Sequence, residues 1–195
     1  MPPVVPEEAP EYVREVTAEI IAGRGDGVPV SAFACDGSFP TATTQWEKRN
    51  IALEIPVWEP DICIQCANCA LACPHAAIRF KIYDPAALSG APATFKSAKA
   101  RGKEFAGMMA TIQTAPEDCT GCGMCVENCP AKDKTDPSRK AINMTPQPPL
   151  RESESKNWEF FFNLPDPDRT AFEANTVKNS QLLRPLFEFS GACAG

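Results

Sequence analysis

Cys63-Ile-Gln-Cys66-Ala-Asn-Cys69-Ala-Leu-Ala-Cys73-Pro74 decides how this chain is read. The run returns as Cys119-Thr-Gly-Cys122-Gly-Met-Cys125-Val-Glu-Asn-Cys129-Pro130. Each cysteine of the second run stands 56 positions after its counterpart in the first. Both runs close on a proline, and together they hold eight of the ten cysteines in a chain of 195 residues. Such spacing gathers several soft thiolate ligands in one tight loop. Its repetition predicts two related metal sites.

The pattern is that of a two-cluster bacterial ferredoxin. A 4Fe–4S cube takes one thiolate on each iron, and three closely spaced cysteines wrap one cube. The same loop turns backbone N–H groups toward the sulfurs. The fourth cysteine lies too far along the chain and, in this pattern, ligates the other cluster. One cluster is therefore assigned to Cys63, Cys66, Cys69 and Cys129. The other takes Cys119, Cys122, Cys125 and Cys73. This exchange ties the halves together, so neither is expected to fold stably alone. A structural zinc site would show two separated Cys-x-x-Cys pairs instead. Disulfide scaffolds carry more than about 8–10% cysteine, against about 5% here. Closely spaced thiols without a secretory signal are metal ligands more often than disulfide partners.

Composition narrows the class. The net charge is −6, and an acidic chain without a basic stripe is a poor nucleic-acid binder. Twenty prolines predict much irregular backbone. Met1-Pro-Pro-Val-Val-Pro-Glu-Glu8 lacks the basic and apolar parts of a signal peptide. No apolar run approaches the ~20 residues that span a bilayer. A cytoplasmic location is expected, with neither nucleic acid nor membrane as partner.

The expected fold is α+β, a two-cluster ferredoxin-like domain with long irregular N- and C-terminal extensions. Residues 7–23 read as a helix, with Tyr12, Val13, Val16 and Ile20 at helical spacing and Gly23 as the stop. Residues 1–27 then form a helical tail and 28–56 an extended arm. The ferredoxin domain is expected over 57–145, with strands at Ala77-Ile78 and Ala141-Ile142. Within it, Asp84 to Met108 reads as a basic, exposed insert carrying Lys96, Lys99, Arg101 and Lys103. Residues 146–195 change character again. Glu152 to Asn163 reads as a helix whose Trp158, Phe160, Phe161 and Phe162 need an apolar surface, either the ferredoxin core or another domain. Cys35 reads as a buried or half-buried free thiol. His75, the only histidine, reads as structural, because both clusters already have four thiolates.

Further motifs carry a family resemblance. Thr41-Ala-Thr-Thr-Gln-Trp46-Glu47-Lys48-Arg49-Asn50 resembles the Glu-Lys-Arg element of the pyruvate:ferredoxin (or flavodoxin) oxidoreductases. Cys73-Pro-His-Ala-Ala-Ile78-Arg79 and Cys129-Pro-Ala-Lys-Asp-Lys134 resemble that family's cluster flanks. Gln181-Leu-Leu-Arg-Pro-Leu-Phe-Glu-Phe-Ser190-Gly-Ala-Cys193-Ala-Gly195 resembles the start of its thiamine-diphosphate domain. The resemblance implies an electron-transfer segment of a CoA-acetylating enzyme. That enzyme takes electrons from pyruvate on thiamine diphosphate and passes them through 4Fe–4S clusters to ferredoxin or flavodoxin. Pyruvate and coenzyme A are expected to bind elsewhere, so no catalytic residue is assigned here. Residues 146–195 are then a linker and a truncated start of the thiamine domain, and Cys193 a ligand of an incomplete third cluster. Lys48 and Arg49 are read as docking residues held in salt bridges. Lys132, Lys134, Arg139 and Lys140 are candidates to steer an acidic carrier. The competing reading is a free-standing dicluster ferredoxin-like carrier, which would lack these flanks.

Overall fold

The computed structural model describes residues 4–184, in two compact units covering 4–49 and 50–184. The expectations for Cys193 and for 185–195 lie outside the described residues.

In the first unit, helical backbone runs from residue 11 to 21. It is π-helical over Val13–Thr17 and finishes as α1 (Ala18–Ile21). The helix starts later than the expected residue 7, directly after Pro10. Its end is the expected one. Gly23 adopts φ +74°, and the N–H groups of Gly23 and Arg24 reach back to the carbonyls of Ile20 and Glu19. Val13 and Ala18 pack with Val5, Ala9 and Trp46. The arm is less extended than expected, with 3₁₀ turns at Val30–Ala32 and Thr43–Trp46. Cys35 is exposed rather than buried, because it sits in a turn closed by the Gly37 N–H on the Ala34 carbonyl.

The second unit is the expected mixture of helices and small antiparallel sheets. Its first half runs through β1 (Glu54–Trp58), α2 (Asn68–Ala72) and β2 (Ile78–Tyr83). After a short β3 (Ala98–Lys99), the second half repeats the order as β4 (Met109–Thr114), α3 (Met124–Glu127) and β5 (Ile142–Pro146). The 56-residue offset carries β1 onto β4 and α2 onto α3. Pairing then crosses between the halves. β1 pairs antiparallel with β5, Ile55 opposite Thr145. β2 pairs antiparallel with β4, Phe80 opposite Ile112, in a sheet of order β2-β4-β3. Pro56 has no N–H to donate, and a two-stranded sheet tolerates it because both strands are edges.

β2 shows the period of two that fixes the core. Ile78, Phe80 and Ile82 join Ile112, Ala110 and Ile142 in the main core. Its alternate side chains Lys81 and Tyr83 are also buried, because α4 (Arg151–Asn163) lies over that face. Phe161 and Leu164 pack on Tyr83 with Phe95 and Phe160 around them, and Trp158 stacks on Phe161 at 5.2 Å between ring centroids. The aromatic helix thus covers the ferredoxin core, one of its two expected surfaces. Lys81 Nζ donates to the Leu164 carbonyl at 2.6 Å and pairs with Asp166 at 3.0 Å, which clamps the end of α4. α5 (Val177–Ser180) is capped by the Thr176 hydroxyl and delivers Leu182 to the main core.

In the insert between β2 and β4, Lys99, Arg101 and Lys103 are exposed as expected, but the segment is also anchored to the core. β3 joins the sheet, Phe105 is buried, and Lys96 Nζ donates to the Trp58 carbonyl at 2.7 Å. The basic side chains hid two phenylalanines and a sheet strand that bind the segment to the core.

Candidate metal centres

The loop after β1 carries Cys63 and Cys66, α2 carries Cys69, and Cys73 follows α2. The second half places Cys119, Cys122, Cys125 and Cys129 in the same way around α3. Each loop is wound by two left-handed residues. These are Gln65 (φ 58°) and Ala67 (φ 62°) in the first, and Gly121 (φ 70°) and Gly123 (φ 74°) in the second. The first of each pair turns its N–H onto a thiol. Gln65 N–H donates to Cys63 Sγ at 3.2 Å, and Gly121 N–H donates to Cys119 Sγ at 3.4 Å. These are the backbone donors that the cysteine spacing predicts.

Two cavities result. The first is lined by Cys63, Cys66, Cys69 and Cys129, with Trp58, Ile112 and Ile142 among its walls. The second is lined by Cys119, Cys122, Cys125 and Cys73, with Pro56, His75, Ile78 and Met144. Each cavity draws three thiols from one half and one from the other. All nine described cysteines are free thiols, so no disulfide competes for them among the described residues. Nor do any three His, Cys, Asp or Glu side chains among the described residues converge as ligands of a single ion do. Each cavity has four cysteines in its lining, the number of thiolates that one 4Fe–4S cube takes.

The electrostatics fit the same group. Burial pushes the thiols of Cys63, Cys69, Cys119 and Cys125 up from their ordinary values, and the neighbouring thiols add repulsion. Cys125 is pushed up to about 12. Ionising these groups together requires positive charge inside each cavity, which iron supplies and an empty apolar pocket does not. The donor set and the cavities therefore suit 4Fe–4S clusters.

Several residues gain or lose a role. Gln65, with 2% exposure, donates from Nε2 to the Lys99 carbonyl and accepts the Arg101 N–H on Oε1, both at 2.8 Å. It locks the first cysteine loop to the insert, and motif reading passed over it as a spacer. His75 is half-buried in the wall of the second cavity. Of the four candidate steering cations, Lys140 donates to the Val126 and Glu127 carbonyls and so caps α3. Arg139 pairs with Glu59 and Asp133. Both serve the fold, which leaves Lys132 and Lys134 as the exposed lysines of that loop.

Comparison with known proteins agrees with this geometry. A family model for a 4Fe-4S dicluster domain matches residues 55–130. A second model, EKR, described as a domain of unknown function, matches residues 1–52. The fold and cavities thus define a dicluster iron–sulfur, ferredoxin-like electron-transfer segment. More particularly, the chain matches one segment of the pyruvate-flavodoxin oxidoreductases. It is 58% identical to the pyruvate-flavodoxin oxidoreductase of Nostoc sp., over 96% of this chain and 16% of the relative. It is 54% identical to the enzyme of that name from Trichormus variabilis, over 99% and 16%. It is 50% identical to the pyruvate:ferredoxin oxidoreductase of Moorella thermoacetica, over 96% and 16%. The chain therefore spans about a sixth of the length of these relatives. No helix among the described residues is long and apolar enough to cross a membrane.

Proposed function

We propose that this chain is the electron-relay segment of a cytoplasmic pyruvate:ferredoxin or pyruvate:flavodoxin oxidoreductase. Cys63, Cys66, Cys69 and Cys129 hold one 4Fe–4S cluster, and Cys119, Cys122, Cys125 and Cys73 hold the other. The observation that carries this reading is the pair of four-thiol cavities, each completed by a cysteine of the opposite half. When bound, the two clusters supply one-electron redox centres. The chain's own residues do the rest. The Gln65 and Gly121 N–H groups temper the charge on ligand sulfurs, and Ile112, Ile142, Ile78 and Met144 keep water from the cavities. The crossed strand pairs hold the two sites at a fixed separation. Residues 57–145 make up the dicluster domain, with 146–184 folded back on it. Pyruvate, coenzyme A and thiamine diphosphate bind elsewhere in the complete enzyme, whose third cluster takes Cys193 as a ligand. Ferredoxin or flavodoxin accepts the electrons.

The test is anaerobic reconstitution of the chain with iron and sulfide. About eight irons should bind, four for each Cys₄ cube. The dithionite-reduced protein should then reduce added flavodoxin or ferredoxin. A chain that retains zinc in place of iron, or that loads iron but passes no electrons, contradicts the proposal.

A further inference from the structure

Trp58 is the buried side-chain N–H donor in the lining of the first cavity, whereas the polar side chains His75 and Thr120 that line the second are only half-buried. Trp58 ends β1 and lines the cavity of Cys63, Cys66, Cys69 and Cys129. It is 5% exposed, and its Nε1–H completes no hydrogen bond among the described residues. Trp58 and Cys63 line the same cavity. The Lys96 ammonium holds the Trp58 carbonyl, which fixes the backbone that aims the ring. A buried N–H left without an acceptor is destabilising. A sulfur acceptor inside the cavity removes that cost.

The repeat supplies an internal comparison. The 56-residue offset places Thr114 where Trp58 stands in the first half. The Thr114 hydroxyl already donates to the Pro56 carbonyl at 3.1 Å, so it is engaged within the protein. The second cavity has no indole at the matching position.

We propose that the Trp58 Nε1–H donates a hydrogen bond to a sulfur of the cluster held by Cys63, Cys66, Cys69 and Cys129, and raises the reduction potential of that cluster alone. The inference rests on the two-cluster reading above. A reduced cluster carries one more negative charge, so its sulfurs accept a hydrogen bond more strongly than those of the oxidised form. One electron enters from the upstream donor, no bond forms or breaks, and the indole keeps its proton. Trp58 is thus a tuning residue that sets one relay apart from the other.

The test is an EPR-monitored redox titration of the reconstituted full chain. Trp58 is replaced by benzothienylalanine, which keeps the ring shape and lacks the N–H, and separately by phenylalanine. The benzothienyl protein should load two clusters, and one of its two redox components should shift to lower potential. The expected loss is about fivefold in the equilibrium constant for one-electron reduction, or about 40 mV at 59 mV per tenfold. The other component should stay in place. Potentials unchanged in the benzothienyl protein, or both components moving equally, overturn the inference, whether or not Trp58→Phe folds. A wild-type chain that fails to load two clusters overturns the underlying two-cluster reading instead.

Discussion

Gln65 and Ala67 hold left-handed backbone that their glycine counterparts, Gly121 and Gly123, adopt without a Cβ penalty. The first loop therefore stores strain that the second avoids, and the surrounding contacts of Gln65 help to impose it. Exchanging the residues should expose the asymmetry. Gly123→Ala meets no atom within 4 Å, so its cost is purely conformational, about 1 kcal/mol. Ala67→Gly should be neutral or stabilising by up to about 1 kcal/mol, since relief of strain outweighs added freedom in the unfolded chain. Urea denaturation of the two variants checks the opposite signs. At this scale the grouping of the cysteines that line the two cavities was legible from spacing alone. Trp58 and Gln65 were not, because the surroundings of their polar side-chain atoms are set by tertiary structure. The repeat does point to them, since both differ in type from the residue 56 positions on.

The elements were legible where periodicity or punctuation was strong, as at Gly23, the strand starts near Ile78 and Ile142, and the helix of Glu152 to Asn163. The insert's exposed cations Lys99, Arg101 and Lys103 were legible, but its anchoring through Phe95, Phe105 and β3 was not, because the basic residues outweigh them in any local reading. What places it is β4, a partner distant in sequence. The same limit hid Lys81, a charged residue in a strand that looks solvent-facing until α4 covers it. Its ammonium is buried, and burial holds its pKa below the usual lysine range despite the Asp166 carboxylate. Lys81→Met should destabilise the protein by about 1–2 kcal/mol, because the Leu164 carbonyl loses its donor while the partly exposed Asp166 rehydrates. The denaturation midpoint measures this, and Trp158 fluorescence reports whether the end of α4 loosens first. Lys140→Glu should also destabilise, through the lost cap on α3, so slower carrier reduction in that variant would not by itself show docking.

For the whole molecule, the thiols tie stability to metal. In the metal-free chain the raised pKa values of Cys63, Cys69, Cys119 and Cys125 mean that the folded state keeps protons the unfolded state releases above about pH 8.5. Stability is therefore fully present below that pH and falls as pH rises toward the folded values, by up to about 1.4 kcal/mol per pH unit for each such thiol. The loaded protein, whose thiolates are already ligated, should show little of this dependence. Urea midpoints of both forms near about pH 7 and about pH 10 test the contrast. Crossed strand pairing and crossed cysteines state one design twice, since β1–β5 and β2–β4 join the halves and so do Cys73 and Cys129. The most direct measurement is the iron content and low-temperature EPR of Cys73→Ala beside wild type, each reconstituted anaerobically and reduced. The account predicts about eight irons and two interacting clusters in the wild type. In Cys73→Ala it predicts loss of the cluster of the second cysteine run, with the Cys63, Cys66, Cys69 and Cys129 cluster retained as an isolated signal. Two intact clusters in Cys73→Ala, or loss of the first-run cluster instead, would contradict it.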